Sequence, residues 1–273
     1  MELFEYLQYG FIQRALLCGS FIALLCSTLG VLLVLRRFSL LGDGLAHVTF
    51  GSVALGLALR VYPLYVSLPV VMLSSVGILR LAQKARLYGD AAIGIVSSFG
   101  IAAGVILASA AGGFNVDLFS YLFGNILAIG AEEVTLSVIL SLVVLVTVVL
   151  FFQEIFSVTF DEEFARASGI ATERLNVILV LLTAVTVVLT MNVVGILLVT
   201  ALLILPAVTA LQLARGFKSA ILLSAAVSLT AVIGGIVVSL LLNLPTGAVI
   251  VMTNFALFLV AFGVRACHRR GRN

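Results

Sequence analysis

The sequence predicts an all-α, polytopic membrane protein with about nine transmembrane helices, and eight at the least. Three observations carry that reading. The 273 residues are 63% hydrophobic and only 10% charged, with a mean hydropathy of +1.30. A soluble chain of that length cannot bury so much apolar surface. The apolar residues fall into runs of about span length, and basic residues collect at the ends of alternate runs. The whole chain, 1–273, reads as one transmembrane domain. Its net charge of +3 comes from residues at span ends, which argues against a nucleic-acid partner. Cys18 and Cys26 lie inside the first run and Cys267 in the tail, so no disulfide framework is expected. The N-terminus lacks a basic region, so the first span is expected to be retained.

A span needs about 20 apolar residues. The runs that qualify are 11–35, 43–60, 64–83, 91–111, 132–152, 174–191, 193–214, 219–241 and 246–264. Only Asn192 separates the sixth from the seventh, so one of these two can be short or re-entrant. One set of connections carries Arg36 and Arg37, Lys84 and Arg86, Arg166 and Arg174, Arg215 and Lys218, and the tail arginines Arg265, Arg269, Arg270 and Arg272. The other set holds Arg14 and Arg60 beside Glu2, Glu5, Asp117, Glu132 and Glu133. By the positive-inside rule the N-terminus is expected outside and the C-terminus in the cytoplasm. Tyr6, Tyr9, Tyr62, Tyr65, Tyr88 and Tyr121 fall near span ends, as interfacial aromatics do.

The second run is unlike the others. It opens with Gly42-Asp43 and reaches His47 one helical turn later, which stacks a carboxylate and an imidazole on one face. Together they can hold one divalent cation. An acid at a helix start beside a packed histidine is the plainer alternative. Deep in a bilayer, however, an unpaired aspartate costs about 2.5–3.5 kcal/mol on the insertion scale, so it requires a use. Glycines at 42, 44, 51 and 56 allow neighbouring backbone to come close.

Two connections are more than turns. The first, 112–131, contains the amphipathic run Val116–Asn125, fit for a short interfacial helix. Its Asp117 can receive incoming cations or a partner, or can simply be solvated. The second, 154–173, contains Asp161, Glu162, Glu163, Phe164, Ala165, Arg166 and Gly169. Three acids suit a helix start and Gly169 suits its stop. Phe160, Phe164 and Ala167 are expected to share an apolar face that docks into a partner. Gly195, Pro206 and Asn192 are expected to shape a pathway or its packing. Pro206 reads most simply as a kink, and Asn192 and Asn254 as interhelical hydrogen-bonding residues, with a ligand role the alternative for both. Cys267-His268, in a basic tail, is expected to have no role. There is no G-x-x-x-x-G-K-[ST] loop, no G-x-S-x-G elbow and no H-E-x-x-H.

Four motifs in order resemble the permease subunit of metal-ion ABC importers, the zinc, manganese and iron family. They are Arg36-Arg37-x5-Gly42-Asp43-x3-His47, the run Asp117–Asn125, the segment Asp161–Ile170, and Val194-Gly195-x2-Leu198-Val199-x-Ala201 through Pro206-Ala207-x2-Ala210. The resemblance runs from about Arg14 to Arg265. It implies a homodimeric core in a bacterial inner membrane, cytoplasmic ATPase subunits and an extracytoplasmic metal-binding protein. This chain would then be no enzyme and would hold no permanent cofactor, only its divalent cargo. Asp43 and His47 map onto the family's translocation-path metal site, and the 154–173 segment onto the coupling helix that meets the ATPase.

Within the family the chain resembles the zinc branch. The Val-Asp-Leu-x2-Tyr-Leu-Phe-Gly run carries that likeness, as does the lack of a proline shortly after His47. A carboxylate and an imidazole by themselves accept zinc, manganese or ferrous iron. From the residues alone, a gradient-driven carrier with Asp43 and His47 as a proton relay is the competing reading. It has no use for a docking helix at 154–173.

Overall fold

The computed structural model describes residues 9–84, 88–110, 124 and 129–270. In chain order the helices are α1 (Gly10–Leu35), α2 (Leu41–Ala58), α3 (Pro63–Lys84), α4 (Gly89–Ala110) and α5 (Ala131–Leu150). Two short helices follow, α6 (Phe152–Phe160) and α7 (Glu162–Ala167). Then come α8 (Thr172–Val194), a single 3-10 turn at Ile196–Leu198, α9 (Val199–Leu213), α10 (Phe217–Leu242) and α11 (Thr246–Arg270). Among the described residues every regular element is helical, as expected of a chain that must satisfy its backbone inside lipid.

Eight of these helices are long and apolar enough to cross a membrane. The ninth candidate is α9, with 15 residues. At 1.5 Å per residue it extends about 22 Å, short of a hydrocarbon core of about 30 Å. The boundary between the sixth and seventh expected spans also moves. Helix α8 runs through Asn192 to Val194, and the break falls at Gly195, whose φ of +87° suits a residue without Cβ. Sequence pattern put the break at Asn192, which alone separates the two apolar runs; backbone conformation puts it at Gly195.

Three helices form the centre. Burial reaches 67% of the most apolar stretch of α1 and 72% of those of α2 and α8, against 28–33% for α3, α4, α5, α10 and α11. The outer helices expose large apolar side chains such as Leu73, Phe99, Ile106, Leu222 and Met252, the surface that lipid covers in a membrane protein.

Helix α2 is gripped on several sides through its glycines. A Cβ on Gly51 would stand 2.5 Å from the carbonyl oxygen of Gly100, and one on Gly100 would stand 2.7 Å from the Cα of Val48. Backbones of α2 and α4 therefore touch directly. Gly44 meets Ile93 of α4, Gly56 meets Pro63 at the start of α3, and Gly42 meets Leu203 of α9.

The connections sort to opposite ends of the bundle. At one end a cleft gathers Arg36 and Phe38, Gln83 and Gly89, Glu162 and Arg166, and Asn176. At the start of α3, the Tyr62 hydroxyl donates to a carboxylate oxygen of Glu133 on α5. Tyr9 caps α1, and Tyr88 precedes α4, both exposed. The tyrosines at 6 and 121, the run Val116–Asn125 apart from Gly124, and Asp117 lie outside the described residues.

Helix α6 was not foreseen. A break at Phe151 separates it from α5, and its aromatic side packs against the start of α10. Phe156 and Phe160 stand 5.1 and 5.8 Å from the Phe217 ring, and the Lys218 ammonium lies 5.9 Å above Phe152. This corrects one expectation. Phe160 ends α6 while Phe164 and Ala167 belong to α7, with Asp161 extended between them, so the three do not form one helical stripe.

Candidate metal centre and docking segment

Asp43 sits in the first turn of α2, where a negative charge suits the helix end. His47 follows one turn on, and its Nε2 lies 3.5 Å from Asp43 Oδ2. The Asp43 side chain is 49% exposed and that of His47 31%, so a ligand can reach both. The other carboxylate oxygen is already engaged: the Thr200 hydroxyl donates to Asp43 Oδ1 at 3.1 Å. Thr200 stands in the first turn of α9, just past the Gly195 break. Leu203, one turn on, lies where a Cβ on Gly42 would be, so the missing side chain at 42 is what admits α9 to the pair.

A tetrahedral ion with donors at about 2.1 Å holds them about 3.4 Å apart, close to the separation of this carboxylate and imidazole. Among the described residues no third histidine, cysteine, aspartate or glutamate joins them. Water, backbone or a second copy of the chain must supply the remaining positions of any coordination shell.

Of the residues expected to shape a path, Pro206 is buried inside α9, where it removes the hydrogen bond to the Leu202 carbonyl. Gly195 is the break itself. Asn192 lies on α8, and its side chain falls outside the described residues, as do those of Cys267 and His268. Asn254 is fully buried, but the expected interhelical bond is absent. Its amide donates 3.3 Å to Ile250 of its own helix, and its oxygen has no partner.

The 161–169 segment forms a helix for the reasons its sequence gave. Asp161 caps it, accepting from Phe164 N at 2.9 Å, and Gly169, at a φ of +86°, ends it. Ala165 is buried and anchors the turn, while Glu163 and Phe164 face outward, Phe164 with 68% exposure. Glu162 turns inward. It pairs with Arg36 and Arg166, each at 3.6 Å, and accepts from Asn176 Nδ2 at 3.0 Å. Arg36 also donates to Asn176 Oδ1 at 2.5 Å. Burial pulls the Arg36 guanidinium below its ordinary range, and the Glu162 carboxylate opposes that. Sequence reading used Arg36 as a topological marker and a motif residue, with no role in holding the 161–169 segment, and it missed Thr200 and Asn176. Arg36 opens the first motif but its partners do not follow from it, and Thr200 and Asn176 are not specified by any motif; each matters through a contact distant in sequence.

Eight apolar helices of spanning length around a central helix that bears an exposed acid–histidine pair define a multi-pass membrane protein. Residues 8–265 match the ABC 3 transport family, and the chain belongs to it. This is the family that the four motifs resemble. The chain is 33% identical over 256 residues to the manganese transport system membrane protein MntC of Listeria innocua, covering 94% of this chain and 91% of that one. It is 32% identical over 247 residues to the high-affinity zinc uptake system membrane protein ZnuB of Haemophilus influenzae, covering 90% and 95%. Among solved structures, PsaBC from Streptococcus pneumoniae in complex with Fab superposes with a TM-score of 0.86 at 31% identity, over 96% of this chain and 94% of that one.

Proposed function

We propose that this chain is the permease of an ABC importer that carries a divalent metal ion, zinc by preference, into the cytoplasm. The observation that carries the reading is the acid–histidine pair: a hard carboxylate oxygen and a borderline imidazole nitrogen, 3.5 Å apart and open to a ligand. A nitrogen donor beside a carboxylate suits zinc better than manganese, which prefers all-oxygen sites. A pair with only two side-chain ligands holds its ion weakly, which suits a site that must release it.

In this reading the basic ends at Arg36, Arg166 and Arg215 are cytoplasmic, with the N-terminus outside and the C-terminus inside a bacterial inner membrane. A second copy of the chain completes the shell across a homodimer axis. The exposed side of α7, with Glu163 and Phe164, meets a separate ATPase, and an extracytoplasmic binding protein delivers the ion. The cargo is the only metal required, and ATP is hydrolysed on the partner.

Manganese is the second reading, favoured by the likeness to the MntC protein. Uptake by the permease with its ATPase and binding protein in proteoliposomes decides between them. Zinc at equal concentration is expected to suppress manganese uptake at least tenfold more than manganese suppresses zinc uptake. The reverse order assigns manganese.

A further inference from the structure

We propose that Arg36 is a positioning residue that fastens the cytoplasmic helix α7 to the membrane helices, so that movement of α7 is passed to α1 and α8. The inference rests on the reading of α7 as the helix that meets the ATPase.

Helix α7 has six residues, too few to hold its shape unaided. Its covalent joints are weak in the mechanical sense. Asp161 is extended at one end, and Gly169 stands in the left-handed region at the other. A push on α7 delivered through such joints alone would be absorbed by them. Side chains make the firm connection. Ala165 packs in the same apolar cluster as Ile155, Val158 and Leu175, which seats the helix without directing it. Direction comes from Glu162, tied to the end of α1 by Arg36 and to the first turns of α8 by Asn176.

Arg36 closes the triangle by donating to Asn176 while facing Glu162. Its side chain is only 10% exposed, against 64% for Arg166, the other cation on Glu162. An exposed pair of that kind contributes little, whereas a buried guanidinium left without its anion is strongly unfavourable. The three groups therefore move together. The turn after Arg36 is itself hydrogen-bonded, Phe38 N to Leu33 O at 2.8 Å and Leu41 N to Phe38 O at 3.0 Å. It leads straight into α2 and Asp43. Any displacement of Glu162 thus acts at the root of the helix that bears the metal pair.

The test compares wild type, Arg36→Gln, Arg36→Lys and Asn176→Leu in two measurements. The first is hydrogen exchange on the detergent-solubilised permease, which needs no metal. Amides of α7 are expected to exchange about tenfold faster in Arg36→Gln, with α2 and α4 within twofold of wild type and Arg36→Lys between. The second is the metal moved per ATP in the reconstituted importer. It is expected to fall about tenfold in Arg36→Gln while the ATPase still co-purifies. Where Arg36→Gln does not fold, Asn176→Leu, which removes one arm of the triangle, is read in the same way. Wild-type exchange in α7, an unchanged metal-to-ATP ratio, or ATPase activity falling in step with transport would each overturn the assignment. A wild-type complex that moves no divalent metal, with the exchange difference intact, would remove the proposed function and leave the fastening supported.

Discussion

Thr200 donates a hydrogen bond to Asp43 across 3.1 Å, joining the helix after the Gly195 break to the acid of the acid–histidine pair. The bond occupies Oδ1 and leaves Oδ2, the oxygen nearer His47, for an ion. It also fixes the carboxylate rotamer, so the donor pair is organised before an ion arrives. Thr200→Val keeps the shape and removes the donor. Metal uptake is expected to fall about tenfold or more, since a hydrogen bond to a charged group is worth roughly 1.5–3 kcal/mol net. Thr200→Ser is expected to stay within twofold of wild type in the same radiometal uptake assay. Equal rates for the valine and serine variants would assign the contact to packing alone.

The grip of α4 on α2 predicts a stability effect. Gly100→Val places branched carbon against the Val48 backbone, where a bare Cβ already stands at 2.7 Å. The helices must separate, and overpacking of this kind costs about 1–3 kcal/mol or more. The variant is expected to lose several degrees of thermal midpoint in detergent, read by tryptophan-free methods such as circular dichroism. Gly94→Val, on the same helix with open space around it, is the control and is expected to match wild type.

Much of this was legible beforehand because it follows from local chemistry. Composition and run length gave the helical membrane fold, and the i, i+4 spacing of Asp43 and His47 gave the pair. Asp161 and Gly169 marked both ends of α7. Other features depended on contacts that no window of sequence contains. Asn192 attracted the span boundary because polarity is visible, whereas the positive φ of Gly195 arises from the packed backbone around it. Helix α6 is apolar like the span before it, so hydropathy could not show the break at Phe151. Arg36, Asn176 and Thr200 became site residues only when α1, α7, α8, α2 and α9 were brought together.

Phe164 offers a test of the segment that carries it. The ring is largely exposed and makes none of the ring contacts that hold Phe156 and Phe160. Phe164→Asp is therefore expected to leave α7 intact while removing the apolar contact that the proposed function assigns to it. Stimulation of the ATPase and metal uptake are both expected to drop at least tenfold, as for loss of a central interface aromatic. Normal stimulated ATPase activity would show that the docking surface lies elsewhere.

The central claim is that Asp43 and His47 hold the ion in transit, and the most direct measurement is radioactive zinc uptake by the full complex in proteoliposomes. Asp43→Asn keeps size, an acceptor oxygen for Thr200 and the helix start, and removes only the charge. Uptake is expected to fall at least a hundredfold, because the carboxylate offsets the cation where the dielectric is low. His47→Ala is expected to do the same, because it leaves a single side-chain ligand. Expression, assembly and basal ATPase activity are expected to hold in both variants. Wild-type zinc uptake in Asp43→Asn and His47→Ala would contradict the account, leaving the pair as a structural feature of the helix start.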